Sequence, residues 1–289
     1  SPFLTANSGD AKMFSTHMEA LKSMKQYIDE FKEEYVVLMD SDTVTNIDLR
    51  DVIKNHEKTG ANITIVTKTI KEGYSAKHPR LMLASVAGKL TEVAMGDKYS
   101  DRHPELALGI YVMKTVYLRR MIEEAEGYNF NSFTRLILKN YKSSNYKIYK
   151  FTGYAAAVSS FLDYYRCSME LVTDDKARES LLWKKEAPIF TRVHNSAPTK
   201  YLSGAKVESS MIADDCVIEG TVINSILSRG VKVERGAVVK NCVLFKNTRV
   251  EKNASLNCIV TDKDVTITEG VTLSGNSNMP FYIQKERKI

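Results

Sequence analysis

Apolar residues recur along this chain with two different periods, and the change of period divides it. From Met13 to Phe31 the apolar positions Phe14, Met18, Leu21, Met24, Ile28 and Phe31 are spaced by three or four residues, the stripe of an amphipathic helix. Tyr35 to Met39 is a short apolar run that reads as a buried strand. A helix from Leu49 to about Lys58, stopped by Gly60, and the strand "ANITIVTK" follow. Further on, "LALGIYVMK" supplies another strand, and "TVYLRRMIEEAE" and "SSFLDYYRCSMELV" supply helices. Alternation of this kind predicts an α/β layer with a partly parallel sheet.

The end of the chain repeats itself. "VERGAVV" from Val233, "VEKNASL" from Val250 and "ITEGVTL" from Ile267 return every 17 residues, interleaved with "NSIL", "NCVL" and "NCIV" from Asn224, Asn241 and Asn257. Apolar residues about six apart are hexapeptides, three of which close one triangular coil of a parallel β-helix. An earlier divergent copy, "IADDCVI" from Ile212, predicts about four coils. Cys242 and Cys258 are read as matching inward positions of the stack. The open ends of such a solenoid need capping or a neighbouring chain, so oligomerisation is expected. The division expected from these patterns is an α/β domain over residues 1–181 and a linker with β-helix over residues 182–289.

Composition narrows the function classes. The 289 residues are 43% hydrophobic and 26% charged, as in an ordinary soluble globular protein. The formal charge is +6, yet the basic residues form no block or aromatic-interleaved stripe, so no nucleic-acid partner is expected. The longest apolar runs fall short of a membrane helix, so a cytoplasmic protein with no membrane partner is expected. The four cysteines have no CxxC pair and read as reduced. The basic end "QKERKI" reads as a solvated terminus, and the Tyr164–Tyr165 pair as packing.

Candidate chemistry gathers at "MDSD", residues 39–42, where a strand ends. Asp40 or Asp42 at such a carboxyl end could hold a hard divalent cation that bridges phosphates, whereas aspartates in "TNIDL" serve equally well as caps of the next helix.

The order of motifs carries a resemblance. "EEYVVLMDSDTVTNIDL" resembles the "eyvlilsGDHIYkmDY" segment of bacterial ADP-glucose pyrophosphorylases, the glucose-1-phosphate adenylyltransferases. "LALGIYVM" is similar to their "ASMGIYVF", "SSFLDYYRCSMELV" to "GTIDSYYxANMELL", and "APIFTRVHNSAPTKY" to "WPIyTxxxxxPPAKF". The resemblance implies a Rossmann-like nucleotidyltransferase (GT-A-like) domain, N-terminally incomplete here, followed by a left-handed parallel β-helix of hexapeptide repeats. The family's glycine-rich ATP loop would lie before Ser1, and "NSGDA" at residues 7–11 resembles the "GTADA" that follows it.

The implied activity joins ATP and glucose 1-phosphate into ADP-glucose and pyrophosphate for glycogen synthesis, with Mg²⁺ on the phosphates. Carried over residue by residue, the implied site is depleted. Asp42 falls on the metal-binding aspartate and is kept, but the partner aspartate falls on Ser132. The sugar-phosphate lysine falls on Gly96, with Lys98 two residues away. The sugar-binding serine becomes Ala107, and "GYWRDVGT" has become "GYAAAVSS", with Ala157 in place of the aspartate. No catalytic residue is therefore assigned, and Mg²⁺ is expected to be held weakly or not at all. The chain resembles the divergent second subunit that accompanies a catalytic one. Its expected partners are that catalytic subunit, in a homo- or hetero-oligomer, and a sugar phosphate, nucleotide or allosteric effector. An active sugar-phosphate nucleotidyltransferase with both Asp40 and Asp42 on a metal is one rival, and a binding protein without turnover is another. A hexapeptide acyltransferase would use a coil histidine, but His17, His56, His78, His103 and His194 all precede the coils.

Overall fold

The computed structural model describes residue 14, residues 16–72 and residues 74–289. "NSGDA" lies outside the described residues. The described residues form two compact units, the first ending at Ala155 and the second running from Ala156 to Ile289.

In the first unit the N-terminal stripe is divided into two helices, α1 (His17–Ser23) and α2 (Lys25–Asp29), rather than the single expected helix. Ser23 Oγ donates back to Ala20 O at 2.8 Å, a bond that bends helices, and Met24 leaves helical geometry at φ −97° and ψ 7°. The apolar stripe survives the break, since Met18 and Ile28 remain buried.

There follow β1 (Tyr35–Met39), a short β2 (Thr43–Thr45), α3 (Leu49–Thr59), β3 (Ile63–Thr69), β4 (Ser75–Val86), β5 (Lys89–Lys98), β6 (Glu105–Lys114), α4 (Thr115–Gly127), α5 (Phe133–Asn140) and β7 (Tyr146–Lys150). Asp48 caps α3 by accepting Arg50 N–H at 2.9 Å, and Gly60 ends it in the left-handed region at φ 57°. The six-stranded sheet runs β1-β6-β3-β7-β5-β4. Strands β3 and β7 are parallel, while β6 is antiparallel to both β1 and β3, which makes the sheet mixed. Its central strands β3 and β6 are buried almost throughout; β6 reads as a nearly unbroken apolar run, whereas β3 buries Thr64 and Thr67 among its β-branched residues.

One consequence of the register positions the site. Strand β3 lies along one edge of β6 from Met113 to Glu105, so both remaining partners share the other edge. There β1 pairs with Lys114 to Ile110, and β4 pairs with Leu106 and Glu105. The end of β1 and the middle of β4 therefore meet beside Gly109.

In the second unit, short strands make three five-stranded parallel sheets, the faces of a hexapeptide solenoid with five rungs rather than about four. The added rung begins at Lys200–Tyr201 and lacks the repeat signature. Inward positions stack: Val222, Val239 and Leu256 form one row, and Ile218, Val233, Val250 and Ile267 another. Corners sit in the left-handed region, which Asn, Asp and Gly tolerate best; one series is Asn224 (φ 46°), Asn241 (φ 51°) and Cys258 (φ 53°).

That series corrects the cysteine reading. Lys240 faces Asn257, so Cys258 matches Asn241 and Cys242 matches Ile259. Cys242 points into the coil core, whereas Cys258 is a corner packed against Tyr165. The "NCIV" motif is slipped by one residue, and a slip of one turns a side chain to the other face.

The terminus has exposed side chains, as expected, together with an engaged backbone. Thr266 N–H bonds Arg287 O and Thr268 N–H bonds Ile289 O, so the last residues cover an edge of the final rung while their side chains stay in solvent. Two helices, α6 (Phe161–Thr173) and α7 (Asp175–Leu181), belong to this unit by contact, although the repeat pattern alone begins later. Tyr165 on α6 is buried and donates to Asn241 O at 2.8 Å, a packing role as expected.

Candidate functional site

The carboxyl ends of β1, β3 and β7 point the same way, and polar side chains collect there. After β1, Asp40 N–H bonds Gly109 O at 2.9 Å. Gly109 has φ 68°, and a Cβ on it would stand 2.2 Å from Asp40 Oδ2, so the Asp40 carboxylate occupies the space that only glycine leaves. Its other oxygen faces His17 Nδ1 at 3.4 Å. Burial pushes the Asp40 carboxyl above the usual carboxylate range; His17 and Arg80 oppose that shift and Asp42 adds to it.

Asp42 is engaged differently. Its Oδ2 accepts a hydrogen bond and ion pair from Arg80 Nη2, and Arg80 is the more buried partner, its side chain 13% exposed against 37%. Arg80 arrives by the route the register dictates, two residues before Met82, which opposes Leu106 of β6. Beneath the pair, Tyr111 is buried, and its hydroxyl is held protonated by that burial and by the Asp40 charge. A second cluster is built on Glu105, a buried carboxylate that accepts from Thr67 Oγ1 (3.1 Å) and Thr69 Oγ1 (3.0 Å) and pairs with Lys150 Nζ at 2.6 Å. All its partners are present, which is what a buried charge requires.

The residues singled out from the sequence are only partly gathered. Gly96 lies directly opposite Arg80 across the β4–β5 hairpin, and a Cβ on it would meet Met82 Sδ at 2.6 Å. Lys98, two residues on, is exposed. Ala107 is buried in the sheet opposite Thr67. Ser132 is the N-cap of α5, its Oγ accepting Arg135 N–H at 3.3 Å. It is one residue from Phe133, whose ring meets Tyr111 edge-on at 5.0 Å. Ala157 lies in the second unit on the short strand Ala155–Ala157, half-buried. Among the described residues, no three His, Cys, Asp or Glu side chains converge as a metal-holding group. Arg80, Glu105 and Lys150 were not legible as site residues.

A mixed-sheet, Rossmann-like α/β unit followed by a hexapeptide solenoid defines the class. The family model "GlmU-like, C-terminal hexapeptide" matches residues 197–279. Over 277 residues the chain is 28% identical to the glycogen biosynthesis protein GlgD of Bacillus subtilis (strain 168), a match that covers 96% of this chain and 68% of that protein. The chain is thus homologous to a GlgD-like member of the ADP-glucose pyrophosphorylase family, as its motifs indicated. Among the described residues no helix is long and apolar enough to cross a membrane.

Proposed function

We propose that this chain is a regulatory subunit of glucose-1-phosphate adenylyltransferase in glycogen biosynthesis, with little or no turnover of its own, acting through assembly with a catalytic subunit. The observation that carries this reading is Ser132. The resemblance implies a metal-binding aspartate at this position, but here a neutral hydroxyl is engaged as the cap of α5. Transfer of a nucleotidyl group rests on positioning and on neutralising phosphate charge, so loss of one of two metal carboxylates removes much of the driving force. The homology to GlgD supports the same reading, because GlgD is a glycogen biosynthesis protein.

Regulation requires that binding of this chain favour one state of the catalytic subunit over another. The test measures ADP-glucose formation by the full-length protein, by a catalytic subunit, and by their mixture. The protein alone is expected to stay at background, and the mixture to shift substrate or activator affinity by about fivefold or more. Robust turnover by the protein alone overturns the catalytic half of the reading, and an unchanged mixture overturns the regulatory half.

A further inference from the structure

We propose that Arg80 has taken the place of a divalent cation at Asp42, and that its remaining N–H donors hold the phosphate of a sugar phosphate without metal. The choice of a sugar phosphate, and of Asp42 as the position of a former cation, rests on the resemblance and the function proposed above; the ion pair at Asp42 and the crowding at Gly96 rest on geometry.

Magnesium wants a near-octahedral shell of oxygens and gives up its water reluctantly. Asp42 offers it a carboxylate already neutralised by a contacting guanidinium, and Ser132 offers a hydroxyl committed to a helix cap. Asp40 is turned onto Gly109 and toward His17. This donor set does not fit the ion.

The same arrangement supplies a cation where the sequence removed one. Residues directly opposite in an antiparallel pair share a face, so Arg80 stands on the face from which a side chain at Gly96 would project. A side chain there would put its Cβ 2.6 Å from Met82 Sδ, so Met82 would have to move aside to admit a lysine. Lys98 lies on that face as well, exposed and two residues along the strand. A guanidinium presents five N–H donors in a rigid fork that matches a phosphate, and the ion pair to Asp42 uses Nη2. Asp42 then acts as the clamp that orients Arg80.

Calorimetric titration of the full-length protein with glucose 1-phosphate and with inorganic phosphate, each in EDTA and in excess Mg²⁺, tests this directly. The affinity for glucose 1-phosphate is expected to agree within about twofold with and without metal, and to weaken by about tenfold or more in Arg80→Ala, the scale of a lost charge-assisted hydrogen bond. Arg80→Lys should retain part of it. Mn²⁺ binding followed by electron paramagnetic resonance should be absent from the wild type, appear in Arg80→Ala as Asp42 is freed, and vanish again in Arg80→Ala/Asp42→Asn. Thermal melts establish that each variant is folded. The proposal is overturned by a tenfold gain of affinity in Mg²⁺, by stoichiometric Mn²⁺ on the wild type, or by flat isotherms. Equal affinity for inorganic phosphate overturns the assignment to a sugar phosphate. Because these are binding readouts, an unchanged kinetic mixture would sink the regulatory function and leave them standing.

Discussion

The two units of this protein are stabilised by opposite arrangements of similar residues. In the solenoid each inward side chain has a counterpart one rung away, so Val239 stacks on Val222 and under Leu256, and these rows are built from neighbouring rungs. In the α/β unit the residues that matter come from remote segments. Asp40 follows β1, Gly109 lies within β6, and Arg80 lies within β4, and they meet only because two strands share one edge of a third. A repeat distributes stability evenly; a site concentrates burial, charge and backbone strain at a few atoms.

Breaking a solenoid row should therefore have the largest effect, and a local one. Leu256 is 1% exposed within its row, and Leu256→Ala is expected to destabilise the solenoid by about 3 kcal/mol, from lost burial plus the cavity left behind. Urea unfolding followed by circular dichroism should show the solenoid's transition displaced and that of the α/β unit unmoved. A loss below about 1 kcal/mol would mean that neighbouring rungs collapse into the gap, against the rigid stacking described here. In the α/β unit the sharpest probe is Gly109→Ala. It forces a side chain onto φ 68° and drives its Cβ against the Asp40 carboxylate, for an expected loss of about 2 kcal/mol. A calorimetric melt that matches the wild type would refute the close approach.

How much could be read from the chain follows the same contrast. The solenoid was legible because its signal is repeated, and repetition averages out local ambiguity. Even so, "NCIV" misled by one residue where Cys258 occupies a corner usually given to Asn or Gly. The central strands were legible for different reasons, β6 because burial on both faces leaves a nearly continuous apolar run and β3 because it is dense in β-branched residues. The β4–β5 hairpin was not, since its turn uses Ala87 at φ 48° before Gly88, and Ala is a poor marker of a primed turn. Asp42 was found by its place at a strand end and by resemblance. Arg80 could not be, because nothing in sequence spacing joins residue 42 to residue 80; only the register on β6 does. Glu105 likewise reads as an isolated charge until Thr67, Thr69 and Lys150 are folded around it.

The smallest expected effect concerns His56, and it separates the units by pH. Its ring is buried on α3, Nδ1 shares a hydrogen bond with Thr64 Oγ1 at 2.8 Å, and Tyr35 meets it edge-on at 5.6 Å. Nε2 is buried without a hydrogen-bond partner, so a second proton there would go unsolvated. Burial holds the imidazole below its ordinary value of 6.5, and the Lys114 charge adds to this while Glu57 opposes it. With the folded value depressed, both states are neutral above about pH 6.5 and the full stability is present. Below it the unfolded chain takes a proton that the folded chain refuses. Stability then falls by up to about 1.4 kcal/mol per pH unit, until the folded value is reached. His56→Gln should remove this slope between about pH 6.5 and 5.5, measured as the wild-type minus variant difference in urea midpoint for the α/β unit. The described rungs, which contain no histidine, should show the same solenoid midpoint in both proteins across that window. An equal slope in wild type and variant would show that His56 takes its proton in the folded state and that its buried nitrogen is reached by water.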